Sequence, residues 1–468
     1  MPLIAGVDSS TQSVKIVIRD ALTGALIREG RAPHSNGTEV DPEMWWNALQ
    51  EAITSAGGLD DVEAISIGSQ QHGMVALDSE GRVIRPALLW NDTRSAAAAA
   101  AINMEIPDIA AQTGSSLVAA FTASKIRWLW DTEPANALRV AAICLPHDWL
   151  SWKLSGSSDI KDIFTDRSDA SGTGYFDSVS SQYDREIFSK IFKSHTDVFL
   201  PRIVGSKEWG ATTSRGLKIA AGAGDNASAA LGLQAELGDL VISLGTSGTA
   251  FAISDTPTHD PTGEVAGFAD LTGRYLPLVC TLNAARILDA ATAILGCTHE
   301  ELGLLALDAP PGANGLTLLP YFEGERTPNR PAATGVLAGM TINNSNRNDI
   351  ARAFIEGMLC GLVDAAQALI QRGVRINRVL MIGGAAKNPA VTQIAAALFG
   401  REVLVPPAGE YVANGAARQA AWALLGGESA PRWDLGEIEH VVAPHTPEVV
   451  ARYRELRDLA PELSKHQQ

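Results

Sequence analysis

One pattern occurs twice in this chain, once in each half: an apolar run, a tight turn of small hydroxyl-bearing residues, and a second apolar run. Near the start, Leu3-Ile4-Ala5-Gly6-Val7 leads through Asp8-Ser9-Ser10-Thr11-Gln12-Ser13 to Val14-Lys15-Ile16-Val17-Ile18. In the middle, Leu240-Val241-Ile242-Ser243-Leu244 leads through Gly245-Thr246-Ser247-Gly248-Thr249 to Ala250-Phe251-Ala252-Ile253. Each reads as a β-hairpin with Gly, Ser or Thr at its tip. Short side chains there let backbone N–H groups come close to an anion. Two such tips suit a grip on one nucleotide polyphosphate from opposite sides. The shared motif suggests common ancestry of the halves without demonstrating a full repeat.

The intervening sequence alternates strand and helix signals. Val62–Gly68 reads as a strand, and the run Ala96–Ala101 as a helix with Ser95 at its N-cap. Lys218–Ala221 reads as a strand ending in Gly222-Ala223-Gly224, after which Asp225–Leu233 is helix-compatible. The second half offers a helix from about Asn348 to Gln371 and a strand at Arg378–Ile382, then Gly383-Gly384 and another helix. This predicts an α/β chain. Its 468 residues exceed one ordinary domain, and we place the boundary between 1–237 and 238–468. Gly426-Gly427-Glu428-Ser429 and the polar stretch to Gln468 read as loop and fraying terminus.

Charge narrows the function. A net charge of -16 argues against nonspecific nucleic-acid binding, which wants a basic footprint, but not against a nucleotide site built from N–H donors and a metal. Cys144, Cys280, Cys297 and Cys360 lack the C-x-x-C spacing of a zinc site or redox motif. No basic leader and no apolar run long enough for a bilayer is read. The expectation is a soluble cytoplasmic protein with small-molecule partners, no nucleic-acid or membrane partner, and room for a homodimer.

Asp8 follows an apolar strand and opens a turn, where a carboxylate could hold Mg²⁺ beside a phosphate, or simply satisfy its own backbone. Lys15 reads as an ordinary strand lysine; no G-x-x-x-x-G-K-[ST] loop occurs. Asp225, between strand and helix in Ala221-Gly222-Ala223-Gly224-Asp225-Asn226, is the foremost candidate for a general base acting on a sugar hydroxyl. The same glycines fit the degenerate dinucleotide fingerprint G-x-G-x-x-A, but they lie mid-chain without the acidic residue that closes such a unit. Gln70-Gln71-His72-Gly73 is a polar loop cluster suited to hydroxyls. Asp92 with Arg94 offers a carboxylate–guanidinium pair whose plain reading is structural. Gly383-Gly384, with Asn388 beyond, could pass backbone close to an adenosine or be a plain βα turn.

Taken in order, these motifs resemble the FGGY family of carbohydrate kinases over nearly the whole chain. Asp8-x-x-Thr11 with Ser13 and Lys15, and Leu244-Gly245-Thr246-Ser247-Gly248, are similar to its two phosphate loops. Phe121–Trp128, and Gly335–Met340 continuing to Asp349–Gly357, resemble its two signatures. His72-Gly73, Leu89–Arg94, Gly224–Ala227 and Gly324–Pro328 look like the branch that phosphorylates D-xylulose. Departures are Gln71 where Met is usual, Gly383-Gly384-Ala385 in place of a triple glycine, and Asn283-Ala284-Ala285 in a stretch commonly rich in Gly or Ser. The resemblance implies two actin-like, ribonuclease-H-like domains with a cleft between them, and ATP with Mg²⁺. It implies that Asp225 and Asp8 are catalytic and hold the metal, and that Gln71, His72 and Asn226 bind the sugar. Thr11, Gln12, Ser13, Gly245 and Thr246 would cradle phosphates, with Gly383, Gly384 and Asn388 by the adenosine. Alternatives are a kinase of ribulose, gluconate, glycerol or another polyol, and, from another class, an actin-like ATPase that phosphorylates no sugar.

Overall fold

The computed structural model describes residues 1–463 apart from Ser194 and Thr196. Two units divide the chain. Unit 1 comprises Met1–Ala235, Asp255–Leu276 and Gly409–Asp434; unit 2 comprises Glu236–Ser254, Pro277–Ala408 and Leu435–Gln468. The first crossing falls close to the expected boundary, but two later segments return to unit 1, a feature that local sequence does not mark.

The strands that matter in unit 1 are β1 (Leu3–Ser9), β2 (Ser13–Asp20), β3 (Leu26–Pro33), β4 (Val62–Ser69), β5 (Trp209–Thr212), β6 (Lys218–Ala220) and β7 (Ala223–Gly224). Those in unit 2 are β8 (Asp239–Leu244), β9 (Gly248–Ala252), β10 (Tyr275–Thr281), β11 (Arg378–Ile382), β12 (Val403–Val405) and β13 (Glu439–Val441). The helices used below are α1 (Thr122–Thr132), α2 (Pro146–Ser155), α3 (Arg167–Ala170), α4 (Asp225–Gly232), α5 (Arg347–Gln371), α6 (Pro389–Phe399) and α7 (Tyr411–Leu425).

In unit 1 the sheet order is β5-β6-β4-β1-β2-β3, with β7 also pairing β4. β1 runs antiparallel to β2 and parallel to β4, and β6 is parallel to β4. β1 is apolar on both faces because both are covered. Ala5 and Val7 enter a core with Ile16, Ile65, Trp45 and Trp149, while Ile4 meets Ala413 and Ala417 of α7. Small residues let α7 lie this close. A Cβ on Gly415 would stand 1.7 Å from the Ser228 carbonyl oxygen of α4.

In unit 2, β8 pairs antiparallel with β9 and parallel with β11; β9 pairs antiparallel with β10, and β11 parallel with β12. The expected hairpins at both phosphate-loop motifs are therefore present. Helix α5 begins at Arg347 under an Asn346 side-chain cap, one residue before the expected start. It is the one helix among the described residues long and apolar enough to cross a membrane, contrary to the expectation that no such run exists. Most of its apolar length is buried in the protein, as a core helix requires. Ser95 stands at the expected N-cap, yet its hydroxyl donates to Ala119 O rather than capping. The expected fraying terminus is instead helical over Pro447–Leu463; the last five residues lie outside the described range.

Candidate functional site

In unit 1, β1 delivers Asp8, β4 runs into Gln70, Gln71 and His72, and β7 delivers Asp225 at the first turn of α4. Asp225 Oδ1 accepts from Asn226 N–H (2.7 Å) and Asn226 Nδ2 (2.8 Å). Asn226 Nδ2 also reaches Gln71 Oε1 at 3.4 Å. The structure thus brings Asp225, Asn226 and Gln71 together. Burial pushes the Asp225 carboxyl up to about 6 against the lowering effect of the Asn226 bonds. A carboxyl raised to that value is still mostly ionised at pH 7.

His72 has φ +67°, and its Nδ1 lies 2.7 Å from Gly172 O. A carbonyl only accepts, so Nδ1 carries the hydrogen and Nε2 presents its lone pair when the ring is neutral. The ring sits among Phe121 and Phe268. Its backbone carbonyl accepts from Thr122 Oγ1 and from Lys125 Nζ, both buried on α1. Desolvation brings Lys125 down to about 7, with Asp92 opposing. The motif Phe121–Trp128 had been read only as a signature; Lys125 is a supporting residue that its sequence context did not reveal.

Asp8 is nine-tenths buried, and its carboxyl is pushed up to about 7. Burial is the main cause; Lys15 lowers it, and the charges of Asp225 and Glu410 raise it. Lys15 is not an ordinary strand lysine. Its Nζ lies 3.9 Å from Asp8 and 2.5 Å from Glu410, a residue from the segment that returns at Gly409. No local signal could have found Glu410. Gln70 is buried with neither end of its carboxamide paired, and the Ser9 hydroxyl is likewise unpaired. Buried unpaired groups carry a desolvation cost that ligand or water contacts would relieve. At the hairpin tip, Thr11 Oγ1 accepts from Trp90 Nε1 at 3.2 Å, Gln12 O accepts from His34 N–H, and Ser13 O accepts from Ser10 N–H. Asp92 and Arg94 pair with each other at 2.9 Å, and Arg94 also reaches Glu39, the structural reading of that pair.

The donor set also suits a hard divalent cation. Asp8 and Asp225 are carboxylates that feel each other's charge. No group of three or more metal-ligating side chains occurs among the described residues. Two carboxylates are a donor set that a cation such as Mg²⁺ takes alongside phosphate and water.

Unit 2 holds a different kind of site. A pocket of about 720 Å³ has apolar walls from Leu288, Leu304, Leu307 and Ala390, with Gly245, Thr246, Gly384 and Asn388 among its lining. Its size lies in the range for nucleoside-sized ligands. A Cβ on Gly384 would meet nothing within 4 Å, so the missing side chain leaves room for a ligand. Gly383 does not line the pocket. At φ +101°, a Cβ there would strike Leu244 O at 2.4 Å, so this glycine seats the turn against the end of β8. Asn388 caps α6 through Ala390 N–H and donates to His299 O at 2.7 Å, so its amide builds the wall.

Comparison with known proteins bears on both units. Residues 3–232 match the N-terminal domain, and residues 240–424 the C-terminal domain, of the FGGY family of carbohydrate kinases. The chain is 42% identical to a xylulose kinase of Streptomyces coelicolor over 453 residues, covering 92% of this chain and 91% of that one. It is 32% identical to a xylulose kinase of Escherichia coli over 440 residues, covering 89% of each. The crystal structure of a xylulose kinase from Bifidobacterium adolescentis superposes with a TM-score of 0.91 at 46% identity, covering 97% of this chain and 99% of that one. The two-unit architecture is therefore the actin-like, ribonuclease-H-like fold of sugar kinases, and this chain belongs to the FGGY family of carbohydrate kinases.

Proposed function

We propose that this sugar kinase transfers the γ-phosphoryl group of ATP to the terminal hydroxyl of D-xylulose, giving D-xylulose 5-phosphate and ADP. The observation that carries the reading is Asp225: a desolvated carboxylate at a strand–helix junction, fixed by Asn226 and coupled through it to Gln71. The similarity to xylulose kinases supplies the substrate.

Asp225 takes the proton of the acceptor hydroxyl as that oxygen bonds to the γ-phosphorus, and the bond to the β,γ-bridging oxygen breaks. Gln71, His72 and Asn226 hold the other hydroxyls, with His72 Nε2 as an acceptor. The first span, 1–237, is read as the sugar-binding part with the first phosphate loop, Thr11, Gln12 and Ser13. The second, 238–468, is read as the part that holds the nucleotide: adenosine beside Gly384 and Asn388, phosphates at Gly245 and Thr246. Gly383 acts there through the turn it permits. Asp8 and Asp225 would hold Mg²⁺, which when bound supplies charge neutralisation to the phosphates. Little covalent work falls to the protein in such a transfer; placement and electrostatics dominate.

The test is ADP release with Mg·ATP across D-xylulose, D-ribulose, L-ribulose, glycerol, gluconate and rhamnulose. A dominant response to D-xylulose is expected. A larger response to another acceptor reassigns the substrate. Gln71 is the observation favouring that second reading, because its amide, unlike a methionine, is committed to Asn226. No response to any sugar while ATP is bound overturns the proposal.

A further inference from the structure

The residues that carry Asp225 are gripped by two side chains, one of them distant in sequence. Gln419 lies on α7, is fully buried, and closes two hydrogen bonds on Gly222. Gly222 N–H donates to Gln419 Oε1 at 3.1 Å, and Gln419 Nε2 donates to Gly222 O at 3.0 Å. These partners settle which end of the amide is which, since N–H must donate and C=O must accept. Ser66 Oγ, meeting the same Oε1, is then the donor in that bond. Two residues on, Gly224 N–H donates to Ser168 Oγ of α3 at 3.2 Å.

The gripped residue has no side chain with which to hold its own place. Gly222 has φ +84°, and a Cβ there would stand 2.4 Å from His147 Nδ1, so no side chain of its own can anchor it. Its peptide feeds straight into β7, where Ala223 and Gly224 pair with Gly68 and Ser69 of β4, and then into Asp225. Elsewhere α7 buries alanines, with Ala413, Ala417, Ala420 and Ala421 packed in a core with Ile4, Val17 and Ala64 of the sheet. Packing alone would be served by another apolar residue. A buried carboxamide is costly unless both its ends are bonded, and here two of its three bonds go to the one residue that starts the base-bearing loop, the third coming from Ser66 of β4.

We infer that Gln419, assisted by Ser168, is a positioning residue for the phosphoryl transfer: it fixes the backbone of Gly222–Gly224 and thereby the place of the Asp225 carboxylate. This rests on the reading of Asp225 as the general base. Gln419 is fully buried and its amide is spent on Gly222 and Ser66, so its loss is expected to move the base rather than remove a binding contact.

The experiment measures kcat, KM for D-xylulose, KM for Mg·ATP and the thermal midpoint for Gln419→Leu, Ser168→Ala, the double variant and Asp225→Asn. A base displaced by about 1 Å lowers the rate by up to about 100-fold, so Gln419→Leu is expected to lose about 10- to 100-fold in kcat with both KM values within about twofold. Ser168→Ala should lose less, and the double variant less than the product of the two, because both act on one segment. Unchanged kcat in folded Gln419→Leu, or a loss confined to KM, overturns the inference. So does a kcat loss that merely follows the folded fraction. Should Gln419→Leu not fold, Ser168→Ala decides by the same split between kcat and KM. An active Asp225→Asn would sink the base assignment itself. An inactive Asp225→Asn beside a normal Gln419→Leu would sink the positioning role alone.

Discussion

Unit 1 arranges five strands as β3-β2-β1-β4-β6, and unit 2 arranges five as β10-β9-β8-β11-β12. In each, the first three are antiparallel and the last two join in parallel. The hairpin motif noticed twice in the sequence is therefore the visible part of a duplicated scaffold. The ends of equivalent strands differ sharply. Unit 1 finishes β1 with Asp8 and follows β4 with Gln70, Gln71 and His72. Unit 2 finishes β8 with Ser243 and Leu244 and follows β11 with Gly383 and Gly384. One scaffold collects desolvated carboxylates and amides; the other collects apolar walls and bare backbone. The difference teaches that the fold supplies positions while the strand-end residues set what each site offers, and on the proposed function that divides proton chemistry from nucleotide binding.

The strongest way to break this division is to remove the proposed base. Asp225→Asn keeps the size of the side chain and discards its basicity. Turnover is expected to fall by about 10²- to 10⁴-fold, the usual worth of a positioned general base, with ATP binding unchanged. Equilibrium titration with a fluorescent ATP analogue beside steady-state kinetics reads both halves. Lost nucleotide affinity would mean that unit 1 chemistry and unit 2 binding are not separable in this way.

The converse change fills the unit 2 pocket. Gly384 has open space around its Cβ direction, so Gly384→Leu projects a side chain into the volume proposed for adenosine without striking protein at its first atom. Overpacking of this kind costs about 1–3 kcal/mol, a rise of about 5- to 150-fold in KM for ATP. KM for the sugar should hold. An unaltered KM for ATP would place the nucleotide elsewhere.

Titration sharpens the comparison, because the carboxylate proposed to take the proton lies in unit 1. The Asp225 carboxyl is raised to about 6 by desolvation, and the base must be ionised to act. As pH falls through that value the carboxylate is protonated, so kcat/KM for D-xylulose should drop on the acid side, losing about tenfold for each unit below pH 6. Asp8, raised to about 7, interacts with Asp225, so the limb reports the pair. A limb near pH 4, the ordinary carboxylate range, would show that the site is wetter than the geometry implies.

How much of this was legible follows from the range of the interactions. The hairpins and the strand at Arg378–Ile382 came from apolar periodicity, which is local. Asp225, Asn226 and Gln71 were legible because each lies within two residues of a strand end and of a glycine, and they do meet. Lys15 was misread because its partner Glu410 stands 395 residues away, and Gln419 went unnoticed because Gly222 stands 197 residues away. Both partners lie on the segment that returns to unit 1, which no composition shift announces. Ser95 shows a smaller limit: the cap position was right, but a tertiary acceptor, Ala119 O, won its hydroxyl.

The mildest test returns to the two hairpin tips. If unit 2 holds phosphate mainly through backbone N–H groups of its glycine-rich tip, the Thr246 side chain adds one neutral hydrogen bond at most. Such a bond is worth about 0.5–1.5 kcal/mol, so Thr246→Ala should raise KM for ATP by about two- to tenfold and leave kcat nearly unchanged. In unit 1 the corresponding tip residue already has a partner, since Thr11 Oγ1 accepts from Trp90. Thr11→Ala should therefore also release the Trp90 indole, altering its fluorescence, which Thr246→Ala cannot do directly. Equal kinetic effects from the two changes with no fluorescence difference would mean that the tips act alike. The asymmetry between the units would then begin only at the strand ends, with Asp8 and the residues following β4.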